Sequence, residues 1–465
     1  MSTELHDLSL AEASALVAAR EVSPVDLTRA CLARIERHQP ALNAFVTVTA
    51  DEALAQARAA EAEIAAGRRR GPLHGIPIAL KDLVDVAGVP TTAASGVFAG
   101  RVPDQDAEVT RRLRGAGAVF LGKLNMHELA YGASSVVSRY GAVVNPWDAR
   151  LTAGGSSSGS SVALAAGMCY GAIGSDTGGS IRQPAGFANI VGLKPTYGLV
   201  SLRGVIALST YNDHVGPMAR TVLDTALLLQ AIAGYDADDV TSVVLPVPDY
   251  TAALDSRPRP RLGIARAHFF EGMDPEVGAV LEAALRVLAD VGGEQREVRV
   301  PAYLDNTVFR AEIFAYHRER AATNPAGFQP DTLRRVQAGA DVDAPTFIAK
   351  RREMDELRRS ARTIFTEVDL VVTPTSAASP FDVSGTPPLG YDALRAAELT
   401  TLRNTRPFNA LGLPALSVPC GFTASGAPVG MQIVGPAGGE AAVLALAHAY
   451  ERATDWHTRT PPLGA

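Results

Sequence analysis

The sequence is poor in cysteine and in long apolar runs. Its three cysteines, Cys31, Cys169 and Cys420, share no close spacing, which argues against a disulfide framework and against a zinc site. No uninterrupted apolar stretch approaches the ~18 residues of a membrane span. The first residues have neither the basic start nor the apolar core of a signal peptide. These absences predict a cytoplasmic protein that does not associate with membranes.

Lysine is also scarce, because only four of the 43 basic side chains are lysine: Lys81, Lys123, Lys194 and Lys350. An arginine stays protonated under almost all conditions, whereas a buried lysine can lose its proton. Each lysine is therefore a candidate for a special role, Lys81 above all. The net charge is −6 and no basic patch is present, so no direct nucleic-acid partner is expected.

What the sequence does contain is ample material for a core, with 47% hydrophobic and 20% charged residues among 465. Residues 73–80 are typical of a strand that ends at Lys81, 109–114 of a helix, and 118–121 of the next strand. This β-α-β alternation predicts an α/β protein with a large, mixed and largely parallel twisted sheet covered by helices on both faces.

The most informative stretch runs over residues 152–195. It begins with the glycine turn Gly154-Gly155-Ser156-Ser157-Ser158-Gly159 and ends with the turn Asp176-Thr177-Gly178-Gly179-Ser180. The apolar run 162–173 between them predicts one buried helix. Two such turns facing each other would bring backbone N–H groups and hydroxyls together, which suits a site where negative charge develops on an oxygen.

Two other interpretations of these glycines are weaker. A flexible linker would not lead straight into an apolar run. A phosphate-binding loop needs a closing Gly-Lys-Ser/Thr, which neither turn has. The stretch 117–124 ends in Gly-Lys-Leu and contains an apolar strand, so it is rejected as well.

The segment resembles the amidase signature family of serine hydrolases. Ser156 and Ser180 are 24 residues apart, as in that family, and residues 75–82 (Gly-Ile-Pro-Ile-Ala-Leu-Lys-Asp) resemble its lysine motif. Further matching motifs cover 122–129, 145–147, 192–195, 214–220, 409–419 and 430–432. The resemblance is dense over about 70–225 and 400–460 and weak between.

The resemblance implies the amidase signature fold in one domain over 1–465. Within it we expect a helical N-terminal collar at 1–70 and a signature core at 71–235. A variable region that covers the cleft is expected at 236–365, and a C-terminal return to the sheet at 366–465.

The resemblance also implies a Ser-Ser-Lys relay. Ser180 is the nucleophile, Ser156 passes the proton, and Lys81 accepts it as a neutral amine, with a cis peptide bond before Ser156. A free lysine titrates near 10.4, so burial would have to lower its pKa by roughly three units. Asp82 is therefore expected to point away from the amine.

A Ser-His-Asp triad is the alternative, but no Gly-x-Ser-x-Gly elbow supports it. His127 and His214 are interpreted as buried, hydrogen-bonded histidines.

The remaining site residues are predicted in three groups. The oxyanion hole is expected from the backbone N–H groups of Thr177, Gly178, Gly179 and Ser180. Around it, Asp176 and Arg182 are expected to hold the turn in shape as a charged pair, and Ser157 to orient the relay. Ala130 and Tyr131 are expected to face the acyl pocket, although ordinary core packing explains them equally well.

The function predicted from these residues is a stand-alone amidase that hydrolyses a small or aryl-bearing amide through an acyl-enzyme, with carbamates and esters as further substrates. The mechanism needs no metal and no organic cofactor. The predicted partner is a small-molecule amide substrate, and a homodimer stays open.

The alternative is the A subunit of glutamyl-tRNA(Gln) amidotransferase, a glutaminase in a complex. The wording of residues 129–132 (Leu-Ala-Tyr-Gly) and 212–216 (Asn-Asp-His-Val-Gly) favours the stand-alone enzyme. A catalytically inactive binding protein is disfavoured because all three relay residues are present.

Overall fold

The computed structural model describes residues 4–256, 259–386 and 388–463. The predicted absence of a signal peptide rests in part on residues 1–3. The proline, glycine and serine content of residues 374–388 predicts a loop, and this stretch includes residue 387. Those positions lie outside the described residues, as do 257–258 and 464–465.

The described residues form fourteen α-helices, which are α1 Leu10–Ala19, α2 Pro24–Leu42, α3 Ala50–Ala65, α4 Glu108–Gly115, α5 Ser158–Ala165, α6 Arg182–Ala188, α7 Val222–Ile232, α8 Pro275–Val291, α9 Thr307–Thr323, α10 Pro330–Gln337, α11 Ala344–Ser360, α12 Tyr391–Leu402, α13 Arg406–Ala410 and α14 Glu440–Arg452. None of these helices is long and apolar enough to cross a lipid bilayer.

Eleven strands of the described chain build a single sheet. They are β1 Phe45–Val48, β2 Pro77–Lys81, β3 Val119–Leu124, β4 Gly171–Ser175, β5 Val191–Lys194, β6 Val215–Ala219, β7 Leu262–Ile264, β8 Gln295–Glu297, β9 Leu370–Pro374, β10 Ala415–Phe422 and β11 Pro428–Val434. Their order across the sheet is β1-β3-β2-β4-β6-β5-β10-β11-β9-β7-β8.

The predicted mixed sheet with helices on both faces is confirmed. Strands β2 to β6, β9 and β11 are buried at every residue, which requires cover on both faces of the sheet. On β10, for example, the helices α6, α8 and α14 all pack.

Parallel pairing is less common than "largely parallel" implies. In the described residues it is confined to β3-β2-β4 and to β9-β7-β8, while the pairs from β4 through β6, β5, β10 and β11 to β9 are antiparallel. The reason is local for β10 and β11, because a short turn joins them and a short turn permits only antiparallel pairing.

The N-terminal helices follow their capping signals. The Ser-x-x-Glu spacing of Ser9 and Glu12 predicts a capping box, and the two residues form one at the start of α1; Ser23 caps α2 with Pro24 in its first turn. From the sequence, Pro40 predicts the end of α2 at that residue, but this is wrong by two residues, since the helix continues to Leu42. A proline in the last turn of a helix removes one backbone hydrogen bond, but the helix can continue to the end of that turn.

The prediction of one buried helix over 162–173 is wrong. Helix α5 ends at Ala165, Gly167 adopts a φ of 69°, and the chain then extends into β4 from Gly171. A fully buried strand and a fully buried helix show the same unbroken apolar pattern, so periodicity could not separate them. Both lie in the main hydrophobic core, and the strand brings Ser175 at its end toward Lys81.

Candidate active site

Lys81 is the last residue of β2, a central strand that pairs in parallel with β3 and β4. Its side chain is fully buried. The amine lies 2.7 Å from the hydroxyl oxygen of Ser156, 2.9 Å from that of Ser157 and 2.8 Å from that of Ser175. Sequence patterns did not point to Ser175, because the apolar run before it resembles a helix and hides the end of β4.

Burial lowers the pKa of Lys81 to about 7, against a smaller opposing effect of the Asp176 and Asp213 charges. A substantial share of the amine is therefore neutral, and able to act as a base, at neutral pH. Asp82 points away as expected, because its carboxylate accepts from the hydroxyl of Thr92 at 2.5 Å and lies 3.7 Å from the amine of Lys123.

The two glycine turns meet beside this lysine. The Ser157 N–H donates to the carbonyl of Ser180 over 3.2 Å, which ties the first turn to the second. The Gly155–Ser156 peptide bond is cis, and the Gly155 N–H donates to the side-chain oxygen of Gln183 at 2.9 Å. Lys81, Ser156 and the second turn are thus brought together from three separate segments.

Ser180 lines a pocket that is partly open to solvent. Its hydroxyl makes no hydrogen bond with another described residue, whereas that of Ser156 is bonded to the amine of Lys81. Of the three predicted relay residues, two are therefore joined directly, and the third presents its hydroxyl to the pocket.

In the second turn, three backbone N–H groups rather than four are available to bind an oxyanion. The Gly179 N–H donates to Oδ1 of Asp176 at 2.7 Å, so its prediction as an oxyanion-hole donor is wrong: a buried carboxylate already occupies it. The N–H groups of Thr177, Gly178 and Ser180 have no partner among the described residues, and all three residues line the pocket.

Asp176 and Arg182 form a fully buried ion pair at 2.8 Å. Burial alone would raise the pKa of Asp176, but the charge and hydrogen bonds of Arg182 outweigh it and hold that pKa well below its usual range. The guanidinium also donates to Asn409 at 2.7 Å and to Gln432 at 2.6 Å. Asn409 and Gln432 belong to the C-terminal motifs, whose contribution the sequence alone did not reveal.

Ala130 and Tyr131 both line the pocket, and both are almost completely buried. The Tyr131 ring packs edge-on against Phe309, with centroids 4.9 Å apart. Charged side chains reach the pocket as well, namely Asp305, Arg395 and Arg406. The lining drawn from residues 303–354 is Tyr303, Asp305, Asn306, Val308, Phe309 and Met354.

His127 and His214 are buried, and neither makes a hydrogen bond with Ser180 in the described chain. Nδ1 of His214 lies 2.7 Å from the carbonyl of Asn212, and Nδ1 of His127 lies 3.4 Å from the hydroxyl of Ser134. Burial keeps the pKa of both imidazoles well below its usual value.

The amidase family model matches residues 26–444. The chain belongs to the amidase family. The resemblance seen in the motifs is thereby confirmed, and the chain is an enzyme that acts on amide bonds.

Three relatives of this amidase indicate how far the likeness extends. The A subunit of the glutamyl-tRNA(Gln) amidotransferase of Chloroflexus aurantiacus is 43% identical over 492 aligned positions, which cover 99% of each chain. The solved structure of the corresponding A subunit from Thermotoga maritima is 29% identical, with a TM-score of 0.77 over 97% of this chain and 96% of that one. The structure of 6-aminohexanoate cyclic dimer hydrolase is 27% identical, with a TM-score of 0.90 over 99% of each chain.

These relatives overturn the prediction of a stand-alone amidase. Relatives at 39–43% identity over nearly the full chain are named as the A subunit of glutamyl-tRNA(Gln) amidotransferase, which supports the alternative instead. The predicted partner, a small-molecule amide substrate of a stand-alone enzyme, is wrong for the same reason, since these relatives are named as subunits of a larger enzyme. The residue types in two short motifs, around Tyr131 and Asp213, carried less information about function than similarity over the whole chain.

Proposed function

We propose that this chain is the glutaminase subunit of a glutamyl-tRNA(Gln) amidotransferase. It would hydrolyse the side-chain amide of glutamine and pass ammonia to the other subunits of the complex. The observation that carries the proposal is the 43% identity with relatives of that name across 99% of both chains. The geometry around Lys81 supports the chemistry.

The proton relay follows from the donors and acceptors at Lys81. A neutral amine has two N–H bonds and one lone pair. Ser157 and Ser175 accept from the amine at 2.9 and 2.8 Å, which leaves the lone pair for the hydroxyl proton of Ser156. Ser156 in turn takes the proton of Ser180 as the latter attacks. A hydroxyl becomes a useful nucleophile only when a base removes its proton in this way.

Attack of Ser180 on the glutamine amide carbon gives a tetrahedral intermediate with a negatively charged oxygen. The N–H groups of Thr177, Gly178 and Ser180 supply hydrogen bonds for that oxygen. The relayed proton goes to the leaving nitrogen, ammonia departs, and a γ-glutamyl ester remains on Ser180. Water then attacks the ester, Ser180 regains its proton, and glutamate leaves. Neither a metal nor an organic cofactor takes part in these steps.

The charges of the pocket suit free glutamine. Arg395 and Arg406 supply two guanidinium groups for its α-carboxylate, and Asp305 supplies a carboxylate for its α-ammonium group. Tyr131 and Phe309 provide apolar walls for the methylene groups that lie between the α-carbon and the amide of glutamine.

The lining drawn from residues 303–354 supports the proposed role of the 236–365 region as the cover of the cleft. A cytoplasmic location fits a subunit that serves aminoacyl-tRNA.

The test is ammonia release from glutamine by the purified chain, alone and after reconstitution with the remaining amidotransferase subunits of the same organism. The proposal expects strong glutaminase activity in the complex that disappears in Ser180→Ala. Ser158→Ala is the matched control, because Ser158 is buried in the neighbouring turn and its hydroxyl has no partner among the described residues. Failure to assemble, or a complex without glutaminase activity, would refute the proposal.

A further inference from the structure

The hydroxyl of Thr177 is hydrogen-bonded outside the turn that carries it. It donates to Oδ1 of Asp213 at 2.5 Å. Thr177 itself lines the pocket beside Ser180. Asp213 is buried and lies two residues before β6, the neighbour of β4 in the sheet. The side chain of Thr177 thus anchors the turn to a different strand.

The other carboxylate oxygen of Asp213 holds a second backbone segment. Oδ2 accepts from the N–H groups of Leu208 at 2.9 Å and Ser209 at 3.0 Å. Asp213 therefore fastens the Thr177 turn to the loop at 208–209.

From Ser209 the connection continues into helix α9. The Ser209 hydroxyl donates to the carboxylate of Glu312, and the same carboxylate accepts from the Tyr211 N–H at 3.4 Å. The first turn of α9 contributes Val308 and Phe309 to the pocket wall. A continuous set of hydrogen bonds thus joins a helix that lines the pocket to the turn with the three free N–H groups.

We infer that Asp213 is a positioning residue for the reaction: it fixes Thr177, and with it the N–H groups that receive the oxyanion, and it ties them through Ser209 and Glu312 to the pocket-lining helix α9. The inference rests on the role proposed above for the 177–180 turn. Asp213 itself does not line the pocket; it acts on the oxyanion donors through Thr177, and its charge also raises the pKa of Lys81.

The experiment measures how fast a fluorophosphonate modifies Ser180 in the full chain. The serine oxygen bonds to phosphorus, fluoride leaves, and the proton passes to the relay. The phosphoryl oxygen needs the same N–H donors as an oxyanion, while glutamine and partner subunits are not required. Loss of one oxyanion donor typically costs about 10²–10³ in rate. A misplaced donor should cost less, so we expect a decrease of about 10- to 100-fold in Thr177→Val and Asp213→Asn.

Thr177→Ser keeps the hydroxyl and should restore the rate to within about threefold of wild type. Ser201→Ala is the matched control, since it removes a buried hydroxyl that donates to Asp236 at 2.7 Å away from the pocket. A positioning role lowers the maximal rate of modification while the half-saturating probe concentration stays constant.

Unchanged rates in Thr177→Val and Asp213→Asn would overturn the inference, as would an equal loss in Ser201→Ala or an unmodified Ser180 in the wild type. The glutamine assay of the complex is independent of this experiment. Normal fluorophosphonate kinetics without glutaminase activity would therefore refute the proposed function alone.

Discussion

The amine of Lys81 lies 2.7 Å from the hydroxyl of Ser156, which is 75 residues further along the chain. In the described part of the chain no carboxylate forms an ion pair with this amine, and burial lowers its pKa to about 7. A carboxylate at hydrogen-bond distance would favour the ammonium form and remove the base. The pairing of a buried lysine with hydroxyls alone is therefore what makes a proton relay feasible at neutral pH.

The first prediction is an acid limb in the pH profile of kcat/KM for glutamine. The ammonium form of Lys81 cannot accept a proton, so the rate should fall as pH decreases through about 7, the pKa of that residue. Burial raises the pKa of Asp213 to about 7 too, so it titrates in the same range. Its charge raises the pKa of Lys81, and Asp213→Asn should therefore keep the limb but move it to lower pH. A profile that is flat between pH 5.5 and pH 9 would contradict the assignment of Lys81 as the base.

The second prediction concerns stability. The pKa of Lys81 is about 7 in the folded chain and 10.5 as its ordinary value, so between these pH values the unfolded chain binds more protons and folded stability rises with pH. Each pKa unit corresponds to about 1.4 kcal/mol, and each hydroxyl left unpaired costs about 1 kcal/mol. Lys81→Met should then be inactive yet more stable by about 1–2 kcal/mol at pH 7.

At pH 10 this advantage should disappear, because the amine of the unfolded chain is then close to its own pKa of 10.5 and releasing its proton on folding costs little free energy. Denaturant unfolding at both pH values measures the difference. Lys350→Met is the control, since that lysine pairs with Asp305 and Glu353 and its pKa is raised rather than lowered. A Lys81→Met chain that is less stable than wild type at pH 7 would argue against the neutral amine.

The third prediction tests the orientation of the Lys81 amine separately from its presence. Ser175 accepts from the Lys81 amine at 2.8 Å, so Ser175→Ala frees one N–H and lets the lone pair turn away from Ser156. We expect kcat to fall by about 10- to 100-fold, less than the roughly 10²–10⁴-fold of a complete general-base contribution, with little change in KM. Ser158→Ala should leave both constants unchanged. A change in KM alone in Ser175→Ala would indicate a binding role instead.

The fourth prediction tests the second glycine turn. Gly179 has a φ of 132°, and a Cβ there would overlap the side chain of Thr405. Gly179→Ala should lower the free energy of unfolding by about 2–4 kcal/mol and greatly reduce activity. Gly178→Ala is the comparison, because its Cβ would meet only the Arg406 side chain, 3.3 Å away. Equal unfolding free energies for the two variants would show that the geometry of the turn does not depend on Gly179.

Much of this site was predictable from local sequence. The strand that ends at Lys81, the glycine turns and the Asp176–Arg182 pair all lie within motifs whose residues are close together in the chain. Ser175 was missed because an unbroken apolar run hid the change from helix α5 to strand β4. The hydrogen bond from the Gly179 N–H to Asp176 was missed because backbone hydrogen bonding depends on the exact turn geometry, which composition does not specify.

Residues brought in from far along the chain could not be placed by sequence patterns. Asn409 and Gln432 reach the Arg182 guanidinium only because β10 and β11 return to the middle of the sheet. Arg395 and Asp305 come from the region between 225 and 400, where the resemblance is weak, and Arg406 lies outside the matching motifs. The division into collar, core, covering region and C-terminal return remains a prediction. The function was predicted wrongly because the residues of two short motifs were given more weight than similarity over the whole chain.

The most direct test of the central claim is to trap the acyl-enzyme. The reconstituted complex is mixed with glutamine, quenched in acid within milliseconds to seconds, digested and analysed by mass spectrometry. The account predicts a γ-glutamyl ester on Ser180, absent from Ser156 and absent in Lys81→Met. A glutamyl group on any other side chain, or steady ammonia release with no acyl-enzyme on Ser180, would contradict it.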